Sequence, residues 1–313
     1  MTITSKQQED IDRARATSSQ TLRPTVPAME ELLFQSTAVL DHGFLRVVDY
    51  MGDDSSVVQA ARVSYGRGTR KTSEDAALIA YLMRHWHSTP FEMCEIKLHV
   101  KLPIFVARQW VRHRTASINE YSARYSVLDG EFYIPSPEHL AAQSSTNRQG
   151  RDAVLSGDEA QEVLHLLRND AVRSYEHYGW MLNDGTADQQ IDGGRLGLTR
   201  ELARIGLSLN TYTQWYWKTD LHNLLRFLRL RADSHAQYEI RAYAELMLDI
   251  VRQWVPLTHA AFLEHQMHAA TFSASALAAI RRMIAGESVN AQNSGLSRRE
   301  WDDLRSALEL SGS

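Results

Sequence analysis

The chain has 313 residues, of which 43% are hydrophobic and 23% are charged, and its formal net charge is -4. This composition predicts a soluble globular protein with one large domain or two ordinary ones. Because the net charge is negative, bulk electrostatics does not favour nucleic acid or an anionic membrane, and any anion site must be local. No apolar run approaches the roughly 18 residues that a membrane span requires.

The single cysteine, Cys94, excludes an intrachain disulfide and a metal site built on paired cysteines. The N-terminal segment is polar and lacks the apolar core of a secretory signal. Together these features predict a protein of the reducing cytoplasm. Cys94 stands at the start of a predicted strand and has no base beside it, so we expect a small buried residue instead of a nucleophile.

The predicted elements begin after a polar segment, residues 1–37, for which we expect a flexible arm. A turn and a helix are expected over Gly52–Ala61, and a second helix over Asp75–His85, where apolar residues recur at helical spacing. The next segment, Glu95–Leu102, alternates charged or polar residues with apolar ones, which is typical of a half-buried strand. Pro103 ends that strand and can occupy the first turn of a helix.

The middle of the chain is predicted to hold a helix, a strand, a loop and a long helix. The first helix runs over about Ile104–Arg112, and the segment 131–134 is expected to form a strand. The polar segment 141–157 is expected to be a loop. Ser156 and Glu159 have the spacing of a capping box, which predicts the start of the long helix.

The last part of the chain is mostly helical. A capping box formed by Ser297 and Glu300 precedes a short amphipathic helix. The preceding predicted elements are one helix, one strand and two further helices, over Thr199–Leu207, Asn210–Trp217, Leu221–Leu230 and His235–Trp254. Helices predominate and at least three strands lie between them, so the pattern predicts a mixed α and β fold.

The densest chemistry lies in the run 112–125, which contains three arginines, one histidine, one glutamate and five hydroxyl residues. The apolar stretch 104–107 before it should anchor the run in a core. Fixed guanidinium groups suggest a site for phosphate or another polyanion, because each fork bonds two oxygens. A solvated basic loop is the common alternative for any one arginine. Ser122 has no adjacent base in a triad arrangement, so we expect it to form hydrogen bonds.

Two other segments carry candidate ligands. His85–Glu92 contains two histidines, but neither an HExxH motif nor a cysteine partner is present, so we expect no metal. The end of a helix followed by a Thr-Pro turn would instead leave His87 and Thr89 exposed for a polar ligand. In the cluster 230–241, Arg231 precedes a predicted helix, where its charge and the helix dipole both favour an anion.

The triplet 112–114, Arg-His-Arg, followed after seven residues by Ser122, resembles the signature of the flavin-dependent thymidylate synthases. These enzymes are unrelated in fold to the thymidylate synthases that use a cysteine. Four more blocks resemble segments of the family in the same order, at residues 87–92, 103–110, 200–204 and 230–237. Five blocks in order, within roughly residues 38–265, identify the chain as a member of this family.

The resemblance implies an α+β domain over residues 38–270, with mixed helices and an antiparallel sheet, followed by a helical C-terminal extension over 271–313. It implies a homotetramer with shared active sites. The implied reaction converts dUMP to dTMP, with 5,10-methylenetetrahydrofolate as carbon donor, reduced FAD as hydride source and NADPH as the reductant of the flavin. No enzyme cysteine attacks the pyrimidine in this family, which agrees with the setting of Cys94.

The resemblance also implies roles for individual residues. Arg231 matches the arginine that activates the uracil ring at N3, and it is the expected catalytic residue. The positions that resemble the dUMP site are Gln109, Trp110, Val111, Arg112, Glu120, Tyr121, Ser122, Ala123, Arg124, Arg204 and Arg231. The positions that resemble the FAD site are Ser64, His87, Thr89, Arg112, His113, Arg114, Glu120, Asp220, Leu221, His222 and Arg226. Met93, Asp220 and Arg226 depart from the residues common in the family.

Two other interpretations stay open at this point. One is a different nucleotide enzyme on the same scaffold, such as a flavin-dependent RNA methylase or a folate-linked methylase, which would not need Arg231. The other is a nucleic-acid-binding module that uses the run 112–125, whose affinity would fall steeply with salt. The acidic net charge and the absence of a long basic stripe argue against this module.

Overall fold

The computed structural model describes residues 5–63, 75–143, 151–185 and 189–309. The chain forms two compact units, Met1–Ala261 and Phe262–Ser313. The residues that resemble the substrate and flavin sites all belong to the first unit. Among the described residues, no helix is both long enough and apolar enough to cross a lipid bilayer.

A five-stranded antiparallel sheet organises the first unit. The strands of the described residues are β1 (Ser36–Val39), β2 (Gly43–Met51), β3 (Glu95–Pro103), β4 (Ser117–Glu120), β5 (Ala141–Gln143), β6 (Arg151–Val154) and β7 (Tyr212–Asp220). The large sheet has the order β1-β2-β3-β7-β4, and β5 pairs with β6 in a separate small sheet. Strands β3 and β7 pair along their whole length, from Glu95 opposite Asp220 to Pro103 opposite Tyr212.

Helices occur before, between and after these strands along the chain. The α-helices of the described residues are α1 (Ser5–Ala16), α2 (Pro27–Leu32), α3 (Asp54–Val63), α4 (Asp75–Arg84), α5 (Ile104–Trp110), α6 (Gly157–Leu182), α7 (Arg200–Ala203), α8 (Leu221–Arg231), α9 (Tyr238–Trp254), α10 (Pro256–Phe262), α11 (Ala274–Ile284) and α12 (Arg298–Ala307). Shorter helical turns occur at Phe91–Met93, Pro137–His139, Arg204–Gly206 and Leu263–Met267. The prediction of an α+β fold with an antiparallel sheet is confirmed.

The alternation of side chains along β3 creates the apolar face of the sheet. The register places Trp217 of β7 opposite Leu98 and Trp215 opposite Val100. Because cross-strand partners point to the same face, both indoles lie on the same side as the apolar residues of β3. Those residues, at most 1% exposed, are Ile96, Leu98, Val100 and Leu102.

Three helices cover this apolar face. Trp110 of α5 is fully buried, and its ring centroid lies 4.8 Å from that of Phe227 in α8 and 6.1 Å from that of Tyr243 in α9. The same indole lies edge-on to Trp215 and Trp217 of the sheet. Aromatic side chains bury large apolar areas, so this cluster fixes the end of α5 against the sheet.

Several predicted elements are found where the sequence pattern indicated them. The predicted strands Glu95–Leu102 and Asn210–Trp217 correspond to β3 and β7, and the predicted helix Asp75–His85 corresponds to α4. The predicted helix Ile104–Arg112 is present but ends at Trp110. The predicted helix Thr199–Leu207 is shorter, because α7 gives way to a tighter helical turn at Arg204–Gly206.

Other expectations are wrong. The segment 131–134 is not a strand and makes only an isolated bridge at Phe132. Its backbone bonds the start of β7 through the Tyr133 N–H to the Asn210 carbonyl oxygen at 2.8 Å and the Tyr212 N–H to the Glu131 carbonyl oxygen at 3.1 Å, but the Ile134 N–H donates instead to the Asp41 carboxylate at 3.0 Å. The predicted loop 141–157 contains β5 and β6.

Of the two predicted capping boxes, one forms. Ser156 precedes α6 as expected, but its side chain makes no capping hydrogen bond. Ser297 does cap α12, because its hydroxyl accepts from the Glu300 N–H at 3.3 Å while the Glu300 carboxylate accepts from the Ser297 N–H at 2.9 Å. Spacing alone therefore indicates where a helix begins but not whether the side chain makes the capping hydrogen bond.

The polar N-terminal segment contains α1 and α2, which its composition did not predict. Arg15 Nη1 donates to the Glu31 carbonyl oxygen at 3.1 Å and so joins these two helices. The hydroxyl of Tyr50 in β2 donates to the Glu30 carboxylate. The extent of the arm, like the other predicted domain bounds, stays a prediction.

The second unit has its own apolar core. Helices α11 and α12 contribute its buried residues, which are Ala276, Ala279, Trp301 and Leu304. Partly buried apolar residues from the connecting segment, including Val289 and Leu296, pack against them. This arrangement agrees with the predicted helical character of the C-terminal extension.

Candidate active site

The run 112–125 leaves the core at the end of α5. Fully buried Trp110 fixes this end, and the next residues line a cavity of about 240 Å³ between the run, β7 and α8. The hydroxyl of Thr219 in β7 donates to the Thr115 carbonyl oxygen at 3.1 Å, which holds the turn against the sheet. The cavity is lined by Arg112, His113, Arg114, Thr115, Trp217, Thr219, Asn223, Arg226 and Leu230.

Arg231, at the end of α8, is hydrogen-bonded to the same turn. Its Nε donates to Nε2 of His113 at 3.1 Å. Burial, and after it the charges of Arg231 and Arg226, lower the pKa of His113 to about 4. His113 is therefore neutral near pH 7 and can accept this bond, which fixes its proton on Nδ1.

Positive charge accumulates at this cavity. The pKa of Arg231 is lowered, first by burial and then by the charge of Arg112. Among the described residues, Arg112, Arg114, Arg226 and Arg231 have no carboxylate within 4.0 Å. Guanidinium groups that lack carboxylate partners favour a phosphate or another anion, so this donor set fits the phosphate groups of a nucleotide.

The second half of the run forms the edge strand β4 and the turn after it. Glu120 pairs with Trp215 and thus faces the helical side of the sheet, where its carboxylate accepts from the Thr213 hydroxyl at 2.8 Å. The Ser122 hydroxyl accepts from the Arg124 N–H at 3.4 Å. This contact supports a hydrogen-bonding role for Ser122.

The rest of this turn is held by contacts that leave Arg124 exposed. The Tyr121 hydroxyl donates to the Val127 carbonyl oxygen at 3.1 Å, and Ala123 is buried. The Arg124 guanidinium lies 5.6 Å from the ring centroid of Tyr125. Its head group is therefore available to a ligand at the molecular surface.

Arg204 lies in the turn after α7, where its Nε donates to the Glu201 carbonyl oxygen at 3.3 Å. Arg200 connects this turn to the run, because its Nη1 donates to the Tyr125 carbonyl oxygen at 2.8 Å. The structure thus attaches the segment of Arg204 to the segment of Arg124. Sequence reasoning had placed Arg200 in a matching block without giving it this role.

Three predicted site residues have structural roles for their side chains. Trp110 and Leu221 are fully buried in the core. Asp220 caps α8, because one carboxylate oxygen accepts from the Asn223 N–H at 2.8 Å and the other accepts from the Asn223 side chain at 2.8 Å. A family match gives a position along the chain but not the direction of the side chain.

The upstream block lies beside α8, and in the described part of the chain none of its residues lines the cavity. His87 and Thr89 are exposed, and the ring of His87 lies 6.0 Å from that of Tyr81. Arg229 of α8 lies over the ring of Trp86 at 5.4 Å, which brings this block to the same helix. His222 is half-buried on α8 and Val111 is exposed after α5. Ser64 lies outside the described residues.

Sequence reasoning missed some residues that line the cavity. Asn223 and Leu230 share one face of α8 with Arg226, since they lie three and four residues from it along the helix. That spacing is the signal that could have identified them. Gln237 was also missed, although its side-chain oxygen accepts from Nε2 of Gln109.

A larger cavity, of about 790 Å³, lies elsewhere in the first unit. Its lining includes His42, Phe132, His165 and Arg168 but none of the residues predicted for the dUMP or FAD sites. Volume alone does not assign function, whereas the smaller cavity combines four site positions with clustered charge. We therefore take the smaller cavity as the candidate active site.

The single cysteine takes no part in this site. Cys94 is fully buried, as predicted, and burial raises the pKa of its thiol to about 12. A thiol in this environment does not provide the thiolate that nucleophilic attack requires.

The family model described as "Thymidylate synthase complementing protein" matches residues 46–257. The chain belongs to this family. It is 62% identical, over 99% of both chains, to the flavin-dependent thymidylate synthase of Gluconobacter oxydans (strain 621H). It is 56% identical to the enzyme of the same name from Ruegeria pomeroyi, over 98% of this chain and 99% of the relative.

A similar fold has been determined for the UMP/dUMP methylase PolB from Streptomyces cacaoi bound with 5-Br UMP. The TM-score is 0.63 and the identity 32%, covering 73% of this chain and 97% of that one. The resemblance inferred from five sequence blocks is thus confirmed for the family. The fold agrees with that of an enzyme crystallised with a pyrimidine nucleotide.

Proposed function

We propose that this chain is a flavin-dependent thymidylate synthase, a methyltransferase that converts dUMP to dTMP in the cytoplasm. The carbon donor is 5,10-methylenetetrahydrofolate, and the hydride comes from FAD that NADPH has reduced. One observation carries the proposal: arginines from the run 112–125 and from α8 meet at one cavity without carboxylate partners among the described residues. Relatives of up to 62% identity that are named for this activity support it.

The residues of the cavity fit an anionic cofactor and an anionic substrate. Arg112, Arg114 and Arg226 would hold phosphate groups, while Thr115 and Asn223 offer neutral hydrogen bonds. A cavity of about 240 Å³ is below the range of roughly 300–1,000 Å³ that is usual for ligand pockets. One chain therefore offers room for part of a dinucleotide, which supports a site completed by a neighbouring copy in a homotetramer.

Arg231 is the proposed catalytic residue. Its guanidinium is held by neutral His113, so its charge keeps one orientation. A fixed cation stabilises negative charge that develops on the uracil ring more strongly in the transition state than in the ground state. When bound, reduced flavin supplies the hydride, and the protein orients it and excludes water.

The remaining proposed contacts concern binding. Arg124 and Arg204 are the candidates for the phosphate of dUMP, and both are exposed on segments that Arg200 connects. Glu120 and Ser122 would accept or donate hydrogen bonds to the nucleotide. We assign no nucleophile, because Cys94 is sealed in the core and Ser122 has no base beside it among its recorded contacts.

The proposal is tested by the absorbance spectrum of the purified protein and by an assay of dTMP formation. We expect a yellow protein that converts dUMP only when NADPH and methylenetetrahydrofolate are both present. Colourless protein that stays inactive after FAD is added would contradict the proposal. The same assay without each cosubstrate in turn is the control.

A second candidate function is methylation of UMP. The similar enzyme from Streptomyces cacaoi is described as a UMP/dUMP methylase, and its structure contains 5-Br UMP. Parallel assays with UMP and dUMP distinguish the two candidates. Turnover of UMP at a rate equal to that of dUMP would favour the second candidate over thymidylate synthesis alone.

A further inference from the structure

A chain of hydrogen bonds leads from the core to Gln109, one of the proposed dUMP-binding residues. Nε2 of Gln109 donates to the side-chain oxygen of Gln237, just before α9. Nε2 of Gln237 donates in turn to the Glu239 carboxylate at 2.7 Å. The Tyr133 hydroxyl donates to the other oxygen of Glu239 at 3.2 Å. Tyr133 and Glu239 are each only 5% exposed.

The donors and acceptors of these groups give this chain of hydrogen bonds one direction. The Glu239 carboxylate accepts from both Tyr133 and Gln237, so Gln237 turns its NH2 group to Glu239 and its oxygen to Gln109. Gln109 must then donate to Gln237 through its own NH2 group. Among the described residues, no hydrogen bond to the Gln109 side-chain oxygen is recorded, so this oxygen can accept from a ligand.

Tyr133 reinforces this direction. Burial raises its pKa, and the nearby Glu239 carboxylate raises it further. Tyr133 is therefore a neutral donor near pH 7. Because both oxygens of Glu239 have donors, the carboxylate is fixed in place and cannot rotate away from Gln237.

We propose that Glu239 and Tyr133 are positioning residues, which act through Gln237 to present the Gln109 oxygen to a hydrogen-bond donor of dUMP. That donor is the ring N–H of uracil or the hydroxyl of the deoxyribose. This inference rests on the proposed function, because it takes dUMP as the ligand of Gln109. It assigns a role to three residues that the family signature does not include.

The chain offers a matched control. Tyr50, which is 4% exposed, donates to the Glu30 carboxylate elsewhere in the first unit. Tyr50→Phe and Glu30→Gln remove another hydrogen bond between a buried tyrosine and a glutamate, here an exposed one, without changing Gln109 or its partners. They report what the loss of such a bond does to stability alone.

The test measures dUMP affinity of the flavin-loaded enzyme by calorimetry, together with flavin absorbance and the melting temperature. In Glu239→Gln the amide can donate or accept, so Gln237 and Gln109 lose their fixed orientation. We expect dUMP affinity to fall about tenfold in Glu239→Gln and about threefold in Tyr133→Phe, with flavin content unchanged. Tyr50→Phe and Glu30→Gln should keep the wild-type affinity.

A double-mutant cycle separates positioning from general loosening of the core. In a Gln109→Ala background, Glu239→Gln should change dUMP affinity by less than about twofold, because the group that it orients is gone. The same cycle with dideoxyuridine monophosphate, which lacks the sugar hydroxyl, identifies the donor. Coupling that persists assigns it to the uracil N–H, and coupling that disappears assigns it to the sugar.

Two results would overturn the inference. Unchanged dUMP affinity in both Glu239→Gln and Tyr133→Phe would reject it, and so would equal losses with and without Gln109. If Glu239→Gln does not fold, the milder Tyr133→Phe carries the same cycle. A wild-type enzyme that binds no dUMP would instead reject the proposed function, and the inference with it.

Discussion

At the scale of single residues, Arg231 depends on a histidine that must stay neutral. His113 accepts from Nε of Arg231, and it can do so because burial and two neighbouring guanidinium groups lower its pKa to about 4. A protonated imidazole at this position would repel Arg231 and could not accept its hydrogen bond. Neutral His113 thus orients the Arg231 guanidinium without compensating its positive charge, which the proposed reaction requires.

Replacing Arg231 with Ala tests this assignment. We expect dTMP formation to fall at least about 100-fold, because the cation that stabilises the developing charge is removed. Flavin absorbance should be retained, since Arg112 and Arg114 remain in the cavity. The measurement is steady-state turnover of dUMP beside a visible spectrum of the variant.

Arg252→Ala provides the control for this experiment. Arg252 is an exposed arginine of α9 that pairs with Asp249 at 3.2 Å. It is not among the residues assigned to the substrate or flavin sites. It should keep wild-type turnover. Unchanged turnover in Arg231→Ala would reject our assignment of that residue and favour a different nucleotide enzyme on this scaffold.

At the scale of elements, the attachment of α5 decides where the run 112–125 lies. Trp110 packs against α8, α9 and β7 at once, so the residues after it leave the core at one place. The indole nitrogen of Trp110 has no hydrogen-bond partner recorded in the described residues. Shape and apolar area, not a polar contact, therefore hold this helix.

Trp110→Ala should lower the free energy of unfolding by about 3–5 kcal/mol, because it leaves a cavity in the aromatic cluster. The turn 112–115 would lose its anchor, so the flavin content should fall as well. Urea denaturation followed by fluorescence and flavin absorbance measures both effects. Trp110→Phe, which keeps an aromatic ring and loses no recorded hydrogen bond, should cost less than half as much; equal costs would contradict this account.

The elements also show what the sequence could predict. Strand β3 was predicted because polar and apolar residues alternate without a break from Glu95 to Leu102. Strand β2 was not predicted, because a bulge between Val47 and Asp49 interrupts its alternation. β4 has four residues and all are exposed, so it carries no burial pattern. Irregular pairing depends on partners distant in sequence, which periodicity cannot detect.

The candidate site was predictable to a different degree. The clustering of arginines in the run and at Arg231 was visible in the sequence. The structure places Arg112 and Arg114 in the lining of one cavity and bonds Arg231 to His113 of that lining, whereas Arg124 does not line it. The inward direction of Trp110 and the capping role of Asp220 were not visible, because both depend on the packing of α5 and α8. The hydrogen bonds from Tyr133 to Glu239 and from Gln109 to Gln237 each join residues more than 100 positions apart, so only the folded structure reveals them.

At the scale of the whole molecule, two half-buried histidines link stability to pH. His99 lies on the sheet between Arg46 and Gln214, and burial lowers its pKa from 6.5 to about 4, with the Arg46 charge contributing. His113 is lowered to about 4 in the same way. Between these values the unfolded chain binds protons that the folded chain does not bind.

The free energy of unfolding should therefore rise as the pH increases from about 4 to 6.5, and the contribution of these histidines should be complete above 6.5. Chemical denaturation at pH 4.5 and at pH 7 measures this gain. His99→Gln removes one of the two titrating groups, so its gain over the same interval should be smaller. An equal gain in wild type and variant would show that His99 does not contribute.

The buried position of Cys94 has a practical consequence. The chain has no other cysteine. Cys94 directly precedes β3, and its Sγ donates to the Asp53 carbonyl oxygen at 3.4 Å. Maleimides and similar alkylating reagents need an accessible thiolate, which the native fold withholds. A cysteine introduced at an exposed position would be the one reactive attachment point, so a fluorophore or spin label can be placed there without first replacing Cys94.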